Sequence, residues 1–349
     1  MQTKITNPKS ICILRLSAIG DVCHAVATAQ AIQARWPEAK LTWIIGKVEA
    51  QLLKNLSNIE FVVFDKKAGL KGYRDLKAQL KDRHFDILLH MQVALRASLA
   101  TLCVNATEKW GFDRNRAREG QWLFTNRKIA AQQQPHVADG FWGFAKAIGV
   151  AEDLEPQWQM PEGAEQKSWC EQQLDGDKPF IVISPAASKV QRNWLTDRYA
   201  TLADYANKKG YQVFISGGPT KMELQLGQDI EKACKTEVTN LVGKTSLVQL
   251  LALLARAKLV IAPDSGPAHM ATTVNTPVIG LYAHSNPGRT GPYHSFDSTV
   301  SVYEDLLFQQ TKKSVANNRW GKRVKGDDLM LLISVDSVKQ KFDQLTTNH

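Results

Sequence analysis

The stretch APDSGPAHMATTVNTPVIGLY, residues 262–282, decides how this chain folds. Ile261-Ala262 closes an apolar strand, and Asp264, Ser265 and Gly266 make a tight turn. Pro267 suits the first turn of a helix, where a missing amide hydrogen breaks no ladder bond. Thr276-Pro277 punctuates the helix, and Val278–Tyr282 reads as a second buried strand. Strands that alternate with helices in this way form a parallel sheet covered on both faces.

The same alternation runs outward in both directions. Ile11–Leu16 reads as a buried strand and Ser17-Ala18-Ile19-Gly20 as a loop. Asp21 to Arg35 is a helix with Val22, Ala25, Val26, Ala29 and Ile32 on one face. Leu41–Ile45, Phe61–Phe64 and Phe85–Leu89 follow as strands. Between residues 151 and 178 the pattern weakens into EDLEPQWQMPEGAE and DGDKP, rich in turn formers. It restarts with strands at Phe180–Ser184, Tyr211–Ser216 and Leu259–Ala262, and helices at Asp197–Lys209 and Leu247–Ala257, the latter capped by Ser246. From Asp327 the tail is helical, with Val335, Val338, Phe342 and Leu345 as its stripe. At roughly 150 residues per domain, 349 residues make two domains. The expected class is α/β, with two doubly wound parallel-sheet halves. Such sheets bind ligands beyond the carboxyl ends of their strands, so two facing halves would form a cleft.

Composition narrows the class further. A formal charge of +10 points to an anionic partner: nucleic acid, anionic lipid or a phosphorylated small molecule. The five cysteines form no CxxC pair and their number is odd, which supports neither a disulfide framework nor a zinc site. No run of about 18 apolar residues exists to span a membrane, and the first residues resemble no secretory leader. A cytoplasmic protein is expected.

Four strand-end loops carry the candidate chemistry. In the first stretch the free amides of a helix mouth attract phosphate, and Gly266 admits a ligand to the backbone. Asp264 is awkward there, since a carboxylate repels phosphate; it makes sense if it accepts hydrogen bonds from sugar hydroxyls. The same residues also suit plain helix capping, and His269 fits a packed helix position as well as a site. LSAIGDVCHA places Asp21 at a helix start, where it is either an N-cap or a general base. This loop lacks the second and third glycines of GxGxxG, which disfavours a dinucleotide and, with it, a dehydrogenase. SPAASKVQRNW, residues 184–194, offers Ser188, Lys189 and Arg192, the last able to fork onto phosphate oxygens. The fourth loop is Gly217-Gly218-Pro219-Thr220. KWGFDRNRAREGQWLFTNRK, residues 109–128, interleaves bases with Trp110, Phe112, Trp122 and Phe124, a pattern open to nucleic acid, acidic carbohydrate or an ordinary surface loop. Lys66, Lys67, Lys71 and Arg74 form a second basic cluster. KKSVANNRWGKRVKG, in the tail, is a third, suited to an anionic membrane surface.

LRLSAIGDVCHAVATAQAIQARWP, GKTSLVQLLALLARAKLVIAPDSGPAHMATTVNTPVIGLY and the order of the pieces between them resemble the bacterial heptosyltransferases of glycosyltransferase family 9 over nearly the whole chain. FDRNRAREGQWLFTNRK is most similar to the heptosyltransferase I branch. The resemblance implies a GT-B fold: an acceptor-binding Rossmann-like domain over residues 1–160, a donor-binding one over 161–326, and a last helix, 327–349, crossing back onto the first. It implies an inverting transfer of heptose from ADP-L-glycero-β-D-manno-heptose to Kdo-lipid A or a partly built lipopolysaccharide core, on the cytoplasmic side with room for peripheral contact with the inner membrane, and with no metal, cofactor or nucleic acid. By the same resemblance Asp21 is the general base. Ser188, Arg192, Thr245, Asp264, Ser265, Gly266 and His269 bind the donor, and Lys66, Lys67, Lys71 and Arg118 the acceptor. Arg192 stands where the family usually has lysine. The alternatives are a family member with another donor or a later acceptor, and a protein that binds nucleotide sugar or nucleic acid without turnover.

Overall fold

The computed structural model describes residues 5–151 and 153–347; residues 1–4 of the expected first domain and 348–349 of the tail lie outside the described residues. The chain divides into two units, the first ending at Pro161 and the second beginning at Glu162.

The first unit holds six strands: β1 (Ser10–Leu14), β2 (Lys40–Gly46), β3 (Ile59–Phe64), β4 (Phe85–His90), β5 (Ala106–Gly111) and β6 (Arg127–Lys128). They lie in the order β3-β2-β1-β4-β5-β6, every neighbouring pair parallel. The second unit repeats the plan with β7 (Phe180–Ile183), β8 (Gln212–Ile215), β9 (Thr239–Asn240), β10 (Leu259–Pro263), β11 (Val278–Tyr282) and β12 (Val300–Ser301). Its order is β12-β11-β10-β7-β8-β9, again all parallel. The central strands are buried along almost their whole length: Ile11 to Leu14, Phe180 to Ile183 and Leu259 to Ala262. Such unbroken apolar runs fit strands covered on both faces.

In each sheet the strand order reverses once, between β1 and β4 and between β7 and β10. Connections leave toward opposite faces there, which opens a crevice at the carboxyl ends. The loops after β1 and β4 edge the first crevice, and those after β7 and β10 edge the second.

One expectation is corrected. The first helix runs Ile19–Arg35, two residues longer at its start than expected, because the Val22 amide already bonds the Ala18 carbonyl at 2.9 Å. Asp21 is therefore the third helical residue and Ala18 takes the cap position. The last helix, Val335–Thr347, packs on the helix Thr196–Lys208 and on β11 and β12 of its own unit. Its stripe explains why. Val338 and Phe342 are fully buried in the second unit's core, with Phe342 edge-on to Tyr205 and Tyr211. The Tyr205 hydroxyl donates to the Asp343 carboxylate at 2.7 Å, and the Trp194 indole donates to the Ile333 carbonyl at 3.0 Å just before the helix.

Phe342→Ala is expected to cost the second unit about 3–5 kcal/mol through lost burial and the cavity left behind. Urea unfolding followed by tryptophan fluorescence measures it, and an unshifted midpoint would place the tail outside that cooperative unit.

Candidate active site

In the first crevice the central pair is Arg15 and Asp21. Arg15 follows β1 directly and is buried, its guanidinium stacked over the Phe141 ring 5.0 Å from the centroid. Its Nη1 donates to the Met91 carbonyl, just past β4, at 2.7 Å. Its Nη2 pairs with Asp21 Oδ2, which also accepts the Ala18 amide at 3.4 Å. Asp21 Oδ1 has no partner among the described residues, and the side chain is 35% exposed. The Gln92 side chain ties the two edges of the crevice by accepting the Leu16 amide at 2.7 Å. Beneath lies His90, whose Nε2 meets Ser98 Oγ at 3.0 Å. Burial, then the Arg15 charge, push His90 down to about 3, so it stays neutral and leaves Arg15 to Asp21.

In the second crevice the carboxylate is Asp264, directly after β10. Arg192, from the loop after β7, donates from Nη1 to Asp264 Oδ2 at 3.1 Å and to the Asp264 carbonyl at 3.3 Å. His269, one turn into the helix Gly266–Thr272, sets Nε2 3.8 Å from Oδ1. Burial pushes the Asp264 carboxyl up, but His269, Arg192 and the Ser285 side chain outweigh it and hold the group down at about 2. Both partners of the ion pair are mostly buried, 13% and 11% exposed. Ser265 is the helix N-cap, yet its hydroxyl makes no capping bond, and this buried oxygen has no partner. Buried polar atoms are nearly always paired, so this unpaired hydroxyl at a helix mouth makes Ser265 a candidate ligand contact.

The other expected donor residues are less closely tied to this pair. Ser188 is exposed in the same loop as Arg192, which bends back where Asn193 Oδ1 accepts the Ala187 amide at 2.7 Å. Thr245 follows β9, two strands removed from the crevice, and directly precedes the Ser246 cap. The Gly217–Thr220 loop is a capped helix start: Glu223 accepts the Gly218 amide at 2.9 Å and the Thr220 hydroxyl at 2.6 Å.

Among the expected acceptor residues, Lys66, Lys67 and Lys71 follow β3 and Arg118 follows β5. Lys67, Lys71 and Arg118 are exposed, while Lys66 Nζ lies 3.5 Å from buried Glu49 Oε1. Trp110 and Phe112 are buried, Phe124 is half-buried, and of the four aromatics interleaved with bases only Trp122 is exposed. No helix among the described residues is long and apolar enough to cross a membrane.

Sequence reading missed Arg15, Ser285 and Glu49. For Arg15 a signal existed, a lone charge inside ICILRL. Glu49 and Ser285 carried none, since a glutamate in a helix start and a serine in a turn are ordinary.

The architecture is the GT-B arrangement of two parallel sheets with alternating helices. The glycosyl transferase family 9 structure from Veillonella parvula superposes with a TM-score of 0.81, covering 99% of both chains at 21% identity. The Escherichia coli heptosyltransferase WaaC with ADP gives 0.75 at 19% identity, over 97% of this chain and all of the other. The lipopolysaccharide core heptosyltransferase OpsX of Haemophilus influenzae is 46% identical over 97% of each chain. The model of glycosyltransferase family 9 (heptosyltransferase) matches residues 73–319. The chain belongs to that family, and it is a transferase of the heptosyltransferase type.

The depressed Asp264 group has a definite consequence for stability. A carboxyl lowered from its ordinary 3.8 to about 2 stabilises the fold fully above pH ~4, and that contribution disappears as pH falls through about 2. It amounts to about 2 kcal/mol. Urea midpoints of the wild type are therefore expected to fall faster between pH 4 and 2 than those of Asp264→Asn; parallel slopes would remove Asp264 from the acid response.

Proposed function

We propose that this transferase moves heptose from ADP-L-glycero-β-D-manno-heptose onto Kdo or an inner-core heptose of lipopolysaccharide, with Asp21 as general base. One observation carries the base assignment. Arg15 and the Ala18 amide hold Oδ2 of Asp21, while Oδ1 stays open on a partly exposed side chain. An anchored carboxylate with one free oxygen is oriented to take the proton of an acceptor hydroxyl as the hydroxyl oxygen attacks the anomeric carbon.

The donor half of the reading rests on the second crevice. As the glycosidic bond to the diphosphate breaks, negative charge grows on the leaving group. Arg192, the Ser265 hydroxyl and the amides of the helix mouth can meet it, and preorganised donors cost no reorganisation at that moment. Asp264, already neutralised by Arg192, accepts heptose hydroxyls. The relatives support this choice: WaaC was solved with ADP and with ADP-2-deoxy-2-fluoro heptose, and OpsX acts on the lipopolysaccharide core. Lys66, Lys67, Lys71 and Arg118 then face the anionic acceptor, which is met at the cytoplasmic face of the inner membrane.

Incubation with ADP-heptose and a Kdo-lipid acceptor, read by mass, should show one added heptose. Asp21→Asn is expected to lower kcat about 10²–10⁴-fold while ADP binding survives. Near-normal turnover in that variant would remove Asp21 from proton transfer. Transfer from another sugar nucleotide only would move the donor assignment within the family.

A further inference from the structure

We propose that the second unit carries a phosphoryl-binding pocket beside the helix mouth, built from His284 and from the tail cations Arg323 and Lys325. A cavity of about 390 Å³ opens there, lined by Lys189, Arg192, His284, Arg323, Lys325 and Asp327 among others. Its named charged walls are four cations against one carboxylate. Arg192 is shared with the Asp264 pair, so the pocket adjoins the crevice. Neither Arg323, Lys325 nor His284 has a part in the transfer described above.

The cations are placed by the backbone. Val324 is 3% exposed and packs into the core of the unit. Its amide donates to the His284 carbonyl at 3.0 Å, fastening the tail to the end of β11. Lys325 is held in turn by Gln310, whose Oε1 accepts the Lys325 amide at 3.1 Å. The Tyr303 hydroxyl donates to the Lys322 carbonyl at 2.8 Å. With Val324 turned inward, its neighbours Arg323 and Lys325 are exposed and line the cavity. Neither forms a salt bridge among the described residues, as the ion pairs of this unit lie elsewhere.

His284 is the second and independent sign of a ligand. It is 8% exposed, with Nδ1 3.3 Å from the Val324 carbonyl. A carbonyl only accepts, so Nδ1 carries the hydrogen. Nε2 is left buried without a partner. An unpaired ring nitrogen beside a cavity walled by arginine and lysine is a polar atom that a phosphoryl group entering the cavity would satisfy. The group is either the terminal phosphate of the donor's diphosphate or a phosphate on a second ligand. Only the first of these rests on the donor reading given above.

Calorimetric titrations of ADP and AMP, and phosphorus NMR of inorganic phosphate, into wild type and Arg323→Gln/Lys325→Gln separate the cases. Loss of about tenfold or more in ADP affinity with AMP unchanged places the donor's terminal phosphate in the pocket. Unchanged nucleotides with inorganic phosphate binding lost place the phosphate of a second ligand there. In either case the charge-preserving Arg323→Lys/Lys325→Arg variant should recover binding. If all three affinities are unchanged, or AMP weakens as much as ADP, the pocket is overturned. A wild type that binds phosphate through this pair but neither nucleotide would leave the pocket standing and sink the ADP-sugar reading.

Discussion

Where neighbouring parallel strands send their connections to opposite faces, no helix can close the gap at their carboxyl ends. Each sheet of this protein contains one such gap, and each is bridged by an arginine holding an aspartate: Arg15 with Asp21 past β1, Arg192 with Asp264 past β7 and β10. A carboxylate set into a strand-end crevice would be costly to desolvate alone. The arginine offsets that cost and fixes the direction of the acid. The chemistry assigned to each unit depends on this repeated device.

The two pairs differ in burial, and the difference fits the two tasks proposed for them. Asp21 is about one-third exposed and keeps an oxygen free, as a group that must receive a proton from a ligand requires. Asp264 is nearly enclosed, with Arg192 on one oxygen and His269 near the other, and its carboxyl is held at about 2. So firmly ionised a group accepts hydrogen bonds well and takes up a proton poorly. In the proposed reading, similar sheets with similar acid–base pairs would thus supply a proton acceptor in one unit and a fixed hydrogen-bond acceptor in the other.

Much of this was legible in the chain because local chemistry decided it. The turn at Asp264, Ser265 and Gly266, the proline in the helix's first turn and the apolar runs on either side are consequences of backbone geometry. What was not legible depended on partners distant in sequence. ICILRL reads as a strand with an odd arginine; only the Met91 carbonyl, brought alongside by β4, shows what fixes that arginine beside Asp21. The tail's stripe of Val335, Val338, Phe342 and Leu345 declares a buried face without saying what covers it. Tyr205, Tyr211 and Trp194 settle that in favour of the second unit. The basic run before the tail helix likewise read as a surface patch, since sequence alone could not show Val324 turning inward between its charged neighbours.

The position of Asp264 at a mouth meant for phosphate then has an electrostatic resolution. At 3.1 Å the Arg192 guanidinium cancels most of the carboxylate's field at any distance beyond a few ångströms, and the low exposure of both groups limits screening by water. The diphosphate of the proposed donor would therefore meet the amides of the turn, the unpaired Ser265 hydroxyl and the surplus charge of Lys189, Arg323 and Lys325. Close at hand the cancellation fails, and the carboxylate regains its pull on hydroxyl hydrogens. If the proposed donor binds here, the same aspartate would be nearly invisible to its diphosphate at long range and selective for its sugar at contact, which a lone carboxylate or a neutral amide in its place could not achieve.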